Sequence, residues 1–480
     1  MRNRPSKLAC RGLFTWNHMA RSHHEQKESL AEAILRMVAL NSWRGKKKPC
    51  ESMRNRPSKP ACRGLFTWNH MALNRAILGF AAEQAAGAGT EDMMYKMQDR
   101  IAALIKQEID KGEIAGANMM VIHKGQEIFF DSYGYGDKEN QIPMKKDTIF
   151  RLFSMSKPIT AVAVMILVER GELDVRDAVS RYIPAFANQT VWCDGREVPA
   201  ERDITIWDCL NMTTGIPYPD EWTESGRRMD ILFKELTARR EAGEVVDTQE
   251  YMRRIAEIPL VFQPGKRWMY GLSADILGAV IEVVSGKRYS RFLQEEIFLP
   301  LGMKDTGFYV PEDKEWRFAR NYNMVDGKLV PFTESHLGVY YKADVAFESG
   351  GAGMVSTIED YSHFARMLVN GGTYNGVRIL GRKTVFYMAQ NHLKPDQMEA
   401  LQWDSTLGYG YGCLMRVLIN QGEAGTNGSL GEYGWDGWTG NYMTVDPSEK
   451  LVILYFIQRC GAGFTPTMRK LRSVIYGSLE

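Results

Sequence analysis

The chain has 480 residues, of which 44% are hydrophobic and 25% are charged, and its formal net charge at pH 7 is +2. This length suits one large or two ordinary globular domains. The small net charge gives no electrostatic basis for nucleic acid or an anionic membrane surface as the main partner.

Cysteine usage and apolar segments narrow the class of protein further. The seven cysteines are scattered and form no Cys-x-x-Cys pair, so the sequence predicts neither a zinc site nor a disulfide framework. No window reaches the ~18 uninterrupted apolar residues of a membrane-spanning helix. No apolar segment follows the basic N-terminal residues, as a secretory signal requires. We therefore expect a cytoplasmic protein without a membrane span, a metal or another cofactor.

The N-terminus contains a duplication. Residues 1–20 return almost unchanged as residues 53–72, with Pro60 in place of Leu8. A repeat fold needs several stacked units, and one near-perfect copy does not supply them. We interpret the pair as a recent duplication, or as an upstream stretch joined to the protein.

An Ala- and Gly-rich tract at residues 81–90 follows the second copy and is typical of a flexible linker. We therefore expect residues 1–90 to form an extension that contributes nothing to catalysis. The catalytic fold is predicted to occupy residues 91–480.

The first elements of that part are a helix and a hairpin. Apolar residues at helical spacing over 94–111 predict a helix that ends at Gly112. Two β-prone segments, 117–123 and 127–133, are separated by a Lys-Gly turn and predict a β-hairpin.

The next segment contains the first candidate catalytic residues. Ser154 and Lys157 are three residues apart at the start of a predicted helix, which puts both side chains on one face. A serine hydroxyl needs a neighbouring base to act as a nucleophile, and a desolvated lysine supplies one. Residues 159–168 are apolar nearly all round, which predicts a buried central helix. Because an isolated Ser-x-x-Lys pair often occurs by chance, it needs partners elsewhere in the chain.

A second candidate lies further along. Residues 204–216 are predicted to form a helix closed by Gly215. Residues 222–257 are charged with a helical pattern, which predicts a solvated face or a lid and not a binding patch. Tyr270 follows a Pro/Gly turn just before the buried helix predicted at 274–284. A phenol there can point into a cleft, although such a tyrosine is more often a packing residue.

A glycine-rich stretch at residues 431–440 leads into strands predicted at 441–447 and 451–457. Glycines in a strand let a ligand or another backbone approach closely. The sequence has no Gly-x-Ser-x-Gly elbow, no Gly-x-Gly-x-x-Gly after a strand and no cluster of Cys and His. An α/β-hydrolase, a dinucleotide site and a metal site are therefore not predicted.

Four stretches, in this order, resemble the serine β-lactamase and penicillin-binding-protein superfamily, and within it the class C-like branch with the family VIII carboxylesterases. They are FSMSKPIT at 153–160, PGKRWMY at 264–270, GGAGMVST at 350–357 and GWDG at 434–437. The similarity runs from about residue 98 to the end of the sequence.

The resemblance implies an α+β fold of the β-lactamase/transpeptidase type. An antiparallel sheet flanked by helices would come from about 93–150 and 340–480. A mostly helical lobe would come from about 160–335. The active-site cleft would lie between the two, with Ser154 at its base.

The resemblance also implies roles for individual residues. Ser154 would be the acylated nucleophile, Lys157 its base partner, and Tyr270 the residue that relays protons to the leaving group and from the deacylating water. The backbone N–H groups of Ser154 and Trp438 would form the oxyanion hole. Which of Lys157 and Tyr270 is the base stays open at this point, because two groups so close would titrate as a coupled pair.

Two departures from the family bear on the substrate. The second lactamase motif, Tyr-x-Asn, reads Tyr270-Gly-Leu272 here, without the amide. The third, Lys-Thr-Gly or His-Thr-Gly, reads Trp435-Asp436-Gly437, which offers no cation to a substrate carboxylate; family VIII esterases usually have Trp-Gly-Gly there. Asp436 would repel an anionic substrate unless paired, or would select an amine-bearing one, as in related D-amino-acid amidases.

We expect this third motif to contact a small ester or amide substrate, together with His336 of a nearby loop. The leading prediction is a carboxylesterase that acts on small esters through an acyl-enzyme. A D-amino-acid amidase or peptidase, or a weak β-lactamase, would use the same residues and is the second. A penicillin-recognising-like protein that binds without turnover is the third. The sequence leaves the oligomeric state open.

Overall fold

The computed structural model describes residues 95–333, 337–341, 345–401, 403–463 and 465–479. The predicted duplication and linker lie outside these residues.

A helix and a hairpin begin the described chain, as predicted. Helix α1 spans residues 95–110 and is followed by Gly112 at a φ of +73°. Strands β1 (Gly116–His123) and β2 (Gln126–Asp137) pair antiparallel across the Lys-Gly turn. Both predictions are confirmed.

An eight-stranded antiparallel sheet organises the fold. Strands β1 and β2 are joined in it by β3 (Ile142–Pro143), β4 (Tyr409–Gly412), β5 (Met415–Leu418), β6 (Tyr433–Asp436), β7 (Tyr442–Asp446) and β8 (Leu451–Phe456). The strand order is β4-β5-β6-β7-β8-β1-β2-β3. Strands from both ends of the catalytic part therefore meet where β8 pairs with β1.

Alternating side chains of β1 face two different cores. Met119 and Val121 join a core with α1 and the C-terminal helix α4 (Pro466–Tyr476), whereas Met120 and Ile122 join the larger core on the opposite face. This period of two is the pattern of a strand that is buried on both sides.

Two apolar helices lie in the larger core. Helix α2 (Ser156–Glu169) is buried from its first residue to Leu167, and α3 (Ser273–Ser285) is buried over most of its length. The two helices pack against each other. The nearly uniform apolar sequence of α2 predicts this position, since a helix without a polar face cannot lie at the surface.

Shorter elements complete the fold. The other helical segments are Phe153–Met155, Val179–Arg181, Pro184–Phe186, Ile206–Leu210, Glu224–Glu241, Thr248–Ile255, the run of Tyr289–Leu293, Gln294–Phe298 and Leu299–Leu301, then Glu312–Arg317, Ile358–Val369, Arg382–Met388, Pro395–Met398 and Gln421–Ala424. Four small antiparallel pairs join Ile149–Arg151 to Val355–Thr357, Thr190–Cys193 to Arg196–Pro199, Tyr322–Val325 to Lys328–Pro331, and Thr373–Tyr374 to Val377–Arg378.

The α+β prediction is confirmed. Within the described ranges, no helix combines the length and apolarity that crossing a membrane requires.

The helix predicted over 204–216 is a correction, because it covers only Ile206–Leu210. Its end carries both hydrogen bonds of a Schellman motif. Met212, at a φ of +55°, occupies the left-handed position that glycine usually takes. The chain therefore leaves the helix before Gly215, and the residues that follow form a loop towards the site described next.

Candidate active site

A constrained turn carries the nucleophile candidate at the start of α2. The chain passes through one 3₁₀ turn, Phe153–Met155, directly before this helix. Phe153 has a φ of +46°, in the left-handed region that bulky side chains rarely adopt. Its ring packs edge-on against Trp438 and Tyr341, with centroids 5.2 and 6.4 Å away. These contacts hold the turn that presents the partly exposed Ser154.

The amine of Lys157 lies beside Ser154. Its Nζ is 3.2 Å from Ser154 Oγ, 3.0 Å from the Tyr218 hydroxyl and 2.8 Å from the Gly351 carbonyl oxygen. The side chain is fully buried, and this burial lowers the pKa of Lys157 to about 7. The charge of Asp275 acts in the opposite direction. A substantial fraction of Lys157 is therefore neutral near pH 7, and a neutral amine can accept the serine proton.

Tyr270 reaches the same point from the turn before α3. Its hydroxyl lies close to Ser154 and accepts a hydrogen bond from Trp435 Nε1 at 2.9 Å. Burial raises the pKa of Tyr270 well above its usual range, and its interactions with Ser154 and Trp435 offset only part of that effect. The phenol therefore stays protonated at neutral pH. The structure brings Ser154, Lys157 and Tyr270 together, while their roles stay predictions.

The sequence does not single out two further residues near Lys157, which are Tyr218 and Asp275. Tyr218 lies between two prolines shortly after Gly215, much as Tyr270 follows a Pro/Gly turn, and this shared sequence context is a signal that could have identified it. Asp275 is buried within α3, close enough to raise the pKa of Lys157. A carboxylate inside an apolar helix has no distinguishing sequence pattern, so only the packing identifies Asp275.

Strand β6 lies beside Tyr270. Trp435 is buried, with its ring centroid 5.5 Å from that of Tyr270. The next residue, Asp436, forms a salt bridge with the buried Arg416 of the neighbouring strand β5. The charge of Asp436 is therefore balanced within the protein. This pairing removes the physical basis for the interpretation that Asp436 selects an amine or repels an anion.

Gly437 brings the end of β6 against the segment before the nucleophile. A Cβ at Gly437 would lie 2.5 Å from the Leu152 carbonyl oxygen, so a larger residue would displace the strand end. Asn441 adds a side-chain hydrogen bond of 2.7 Å to the backbone of the same segment. This docking places Trp438 near the Ser154 turn, where their backbone N–H groups remain the predicted oxyanion hole.

Aromatic side chains pack around Tyr270. We call this group the aromatic cluster; its members are Tyr218, Trp268, Tyr270, Trp403, Tyr411 and Trp435. The contacting rings have centroids 5.1 to 6.1 Å apart. Trp403 is 43% exposed, so the cluster also reaches solvent. These rings favour apolar substrate groups and give an anionic group little to bind.

The remaining sequence predictions concern His336 and metal ions. His336 lies outside the described residues. In the part of the chain that the structure describes, no three or more His, Cys, Asp or Glu side chains are grouped so that they could hold a metal ion.

Known proteins are similar to this chain over most of its described length. A family model described as Beta-lactamase matches residues 101–473. An uncharacterized protein of Mycobacterium tuberculosis is 31% identical over 393 residues, which cover 77% of this chain and 94% of that protein. Esterase EstB of Burkholderia gladioli is also 31% identical over 393 residues, covering 78% of this chain and 94% of the esterase.

A solved structure extends the likeness to three dimensions. It is titled EstCE1, a hydrolase with promiscuous acyltransferase activity, and is 26% identical with a TM-score of 0.69. The alignment covers 80% of this chain and 99% of that one. The match therefore includes both the sheet and the helices around Ser154.

Proposed function

The chain belongs to the beta-lactamase family and, like the ester hydrolases of that family, is a serine hydrolase, and we propose that it hydrolyses small, uncharged carboxylic esters through an acyl-enzyme on Ser154. The observation that carries the proposal is the contact of 3.2 Å between Ser154 Oγ and Lys157 Nζ, an amine whose pKa burial lowers to about 7. This pair supplies a nucleophile and a base at neutral pH without a cofactor.

Acylation begins when Ser154 Oγ attacks the ester carbonyl carbon and its proton passes to Lys157. Of the two candidate bases, Lys157 is the one with a pKa near neutrality, whereas Tyr270 keeps its proton. Tyr270 then acts as the acid: its phenol gives a proton to the departing alkoxide, and the ammonium of Lys157 returns a proton to the Tyr270 phenolate. The alcohol leaves neutral, and the acyl group stays on Ser154.

Deacylation reverses these proton transfers. A water molecule attacks the acyl carbon while its proton passes through Tyr270 to Lys157, and the serine oxygen recovers a proton as the acid leaves. In both steps the backbone N–H groups of Ser154 and Trp438 would stabilise the oxyanion. One such donor typically contributes about 3–4 kcal/mol to transition-state stabilisation.

The preference for uncharged esters rests on charge and on the lining of the site. The third motif has no lysine or histidine to bind a carboxylate. Asp436 is already paired with Arg416, so the motif offers a substrate neither a free anion nor a cation. The aromatic cluster beside Tyr270 adds an apolar surface. A β-lactam or a peptide with a free carboxylate would lose its ionic anchor here.

A comparison of hydrolysis rates on different substrates tests the proposal. Hydrolysis of p-nitrophenyl acetate and butyrate would be compared with that of nitrocefin and a D-alanyl p-nitroanilide, using wild type, Ser154→Ala and Lys157→Ala. We expect ester turnover above both others, an acyl adduct on Ser154 by mass spectrometry, and loss of activity in both variants. Faster turnover of nitrocefin or the anilide would support the lactamase or amidase alternative. Equal rates in Ser154→Ala would refute the serine mechanism.

A further inference from the structure

The glycine stretch at 350–353 contacts the active-site lysine on one side and a buried carboxylate on the other. The Gly351 carbonyl oxygen accepts a hydrogen bond from Lys157 Nζ at 2.8 Å. The Gly351 N–H donates to Asp275 Oδ1 at 3.2 Å, and the Ser349 hydroxyl donates to the same oxygen. Gly351 therefore links Asp275 to Lys157.

This link is rigid because the stretch lies directly on the start of α3. A Cβ on Gly350 would be 2.3 Å from the Ala274 carbonyl oxygen, and one on Gly351 would be 2.7 Å from Asp275 Oδ2. The Ser349 hydroxyl oxygen also accepts a hydrogen bond from the Ala352 N–H at 3.0 Å. The close packing leaves the Gly351 carbonyl little freedom to turn away from the lysine.

We propose that Asp275 is a positioning residue that acts through Gly351 to keep the lone pair of the Lys157 amine directed at Ser154. A neutral amine has two N–H bonds and one lone pair. A carbonyl oxygen can only accept, so Gly351 takes one N–H. The Tyr218 hydroxyl oxygen takes the second, and the lone pair is left for the Ser154 proton. This inference rests on the proposed function, since it assigns Lys157 as the base.

The charge of Asp275 has a second effect on the same amine. The other titratable groups facing Lys157 in the described chain are the phenols of Tyr218 and Tyr270, which burial keeps protonated. Asp436 lies farther away, against Tyr270, and is paired with an arginine. Burial raises the pKa of Asp275 above its usual value, and its hydrogen bonds and Lys157 offset part of this rise. Its negative charge favours the protonated lysine, so removing it should lower the pKa of Lys157 and extend activity to more acidic pH.

The test measures how fast a fluorophosphonate labels the full-length protein as a function of pH. Asp275→Asn keeps an oxygen that accepts the two hydrogen bonds but removes the charge. We expect the midpoint of its pH profile to fall by about one unit, with the plateau rate retained. Asp275→Ala also removes the acceptor, and its plateau should fall at least about tenfold. An unchanged midpoint in the first variant, or an unchanged plateau in the second, would overturn the inference.

Further variants separate positioning from folding and from the proposed function. Gly351→Ala pushes a methyl group against Asp275 and should lower the plateau, whereas Gly307→Ala adds its methyl group in open space. Equal plateaus in these two glycine variants would overturn the inference even if the Asp275 variants do not fold. Labelling of Ser154→Ala at the wild-type rate would instead refute the proposed function.

Discussion

Replacing Lys157 by methionine should stabilise the protein at neutral pH while abolishing its activity. Burial lowers the pKa of this amine from 10.5 to about 7, whereas the unfolded chain keeps the ordinary value. At 1.36 kcal/mol per unit, this difference lowers the free energy of unfolding by about 4 kcal/mol at pH 7. Methionine has no charge to desolvate. Leaving the buried Gly351 carbonyl without its donor costs about 1–3 kcal/mol, whereas the partly exposed Ser154 and Tyr218 hydroxyls bond to water instead. The net gain should therefore be about 1–3 kcal/mol.

The sign of the pH dependence makes this prediction specific. Between about pH 7 and 10.5, the unfolded chain binds more protons than the folded one, so wild-type stability rises with pH in this window. The advantage of Lys157→Met should therefore shrink and disappear towards alkaline pH.

Urea unfolding at neutral and alkaline pH measures this difference. The matched control is Lys106→Met on α1, an exposed lysine whose replacement relieves no buried charge and should change stability little at either pH. A Lys157→Met protein that is less stable than wild type at pH 7, or one whose stability difference is independent of pH, would refute the reasoning.

Three further predictions concern the same region. Because the amine of Lys157 must be neutral to act as a base, kcat/KM for p-nitrophenyl butyrate should fall about tenfold per pH unit below about pH 7; a flat rate profile there would exclude this role. Arg416→Met leaves Asp436 unpaired and should lower the free energy of unfolding by about 3–5 kcal/mol, measured in urea, with recovery when Asp436→Asn is added. Gly437→Ala forces the β6 end away from the Leu152 carbonyl and should reduce kcat at least about tenfold with the fold retained by circular dichroism, and an unchanged kcat would show that this docking is not needed.

Several local elements could be predicted because their causes are local. The hairpin follows from alternation on both sides of a Lys-Gly turn, and α2 from an apolar run that begins at the Ser154–Lys157 pair. The helix over 204–216 was overestimated because Met212 takes the left-handed position that sequence patterns assign to glycine. The hydrogen bonds of the Schellman motif around Met212 end that helix, although Met212 is not a glycine.

Partners across the fold could not be predicted in the same way. Arg416 and Asp436 are 20 residues apart and meet because β5 and β6 are neighbours in the sheet. Asp275 reaches Lys157 only through the packing of α3 and the glycine stretch against α2. No periodicity in the sequence encodes either contact.

The sequence by itself determined the family, the α+β class and the three side chains that meet at Ser154, because these depend on short motifs in a fixed order. Only the tertiary structure decided the proton affinity of Lys157, the neutralisation of Asp436, the contact of Tyr218 with the amine and the link from Asp275 to it through Gly351. Charge and pKa depend on burial and on partners through space. Residues distant along the chain supply both.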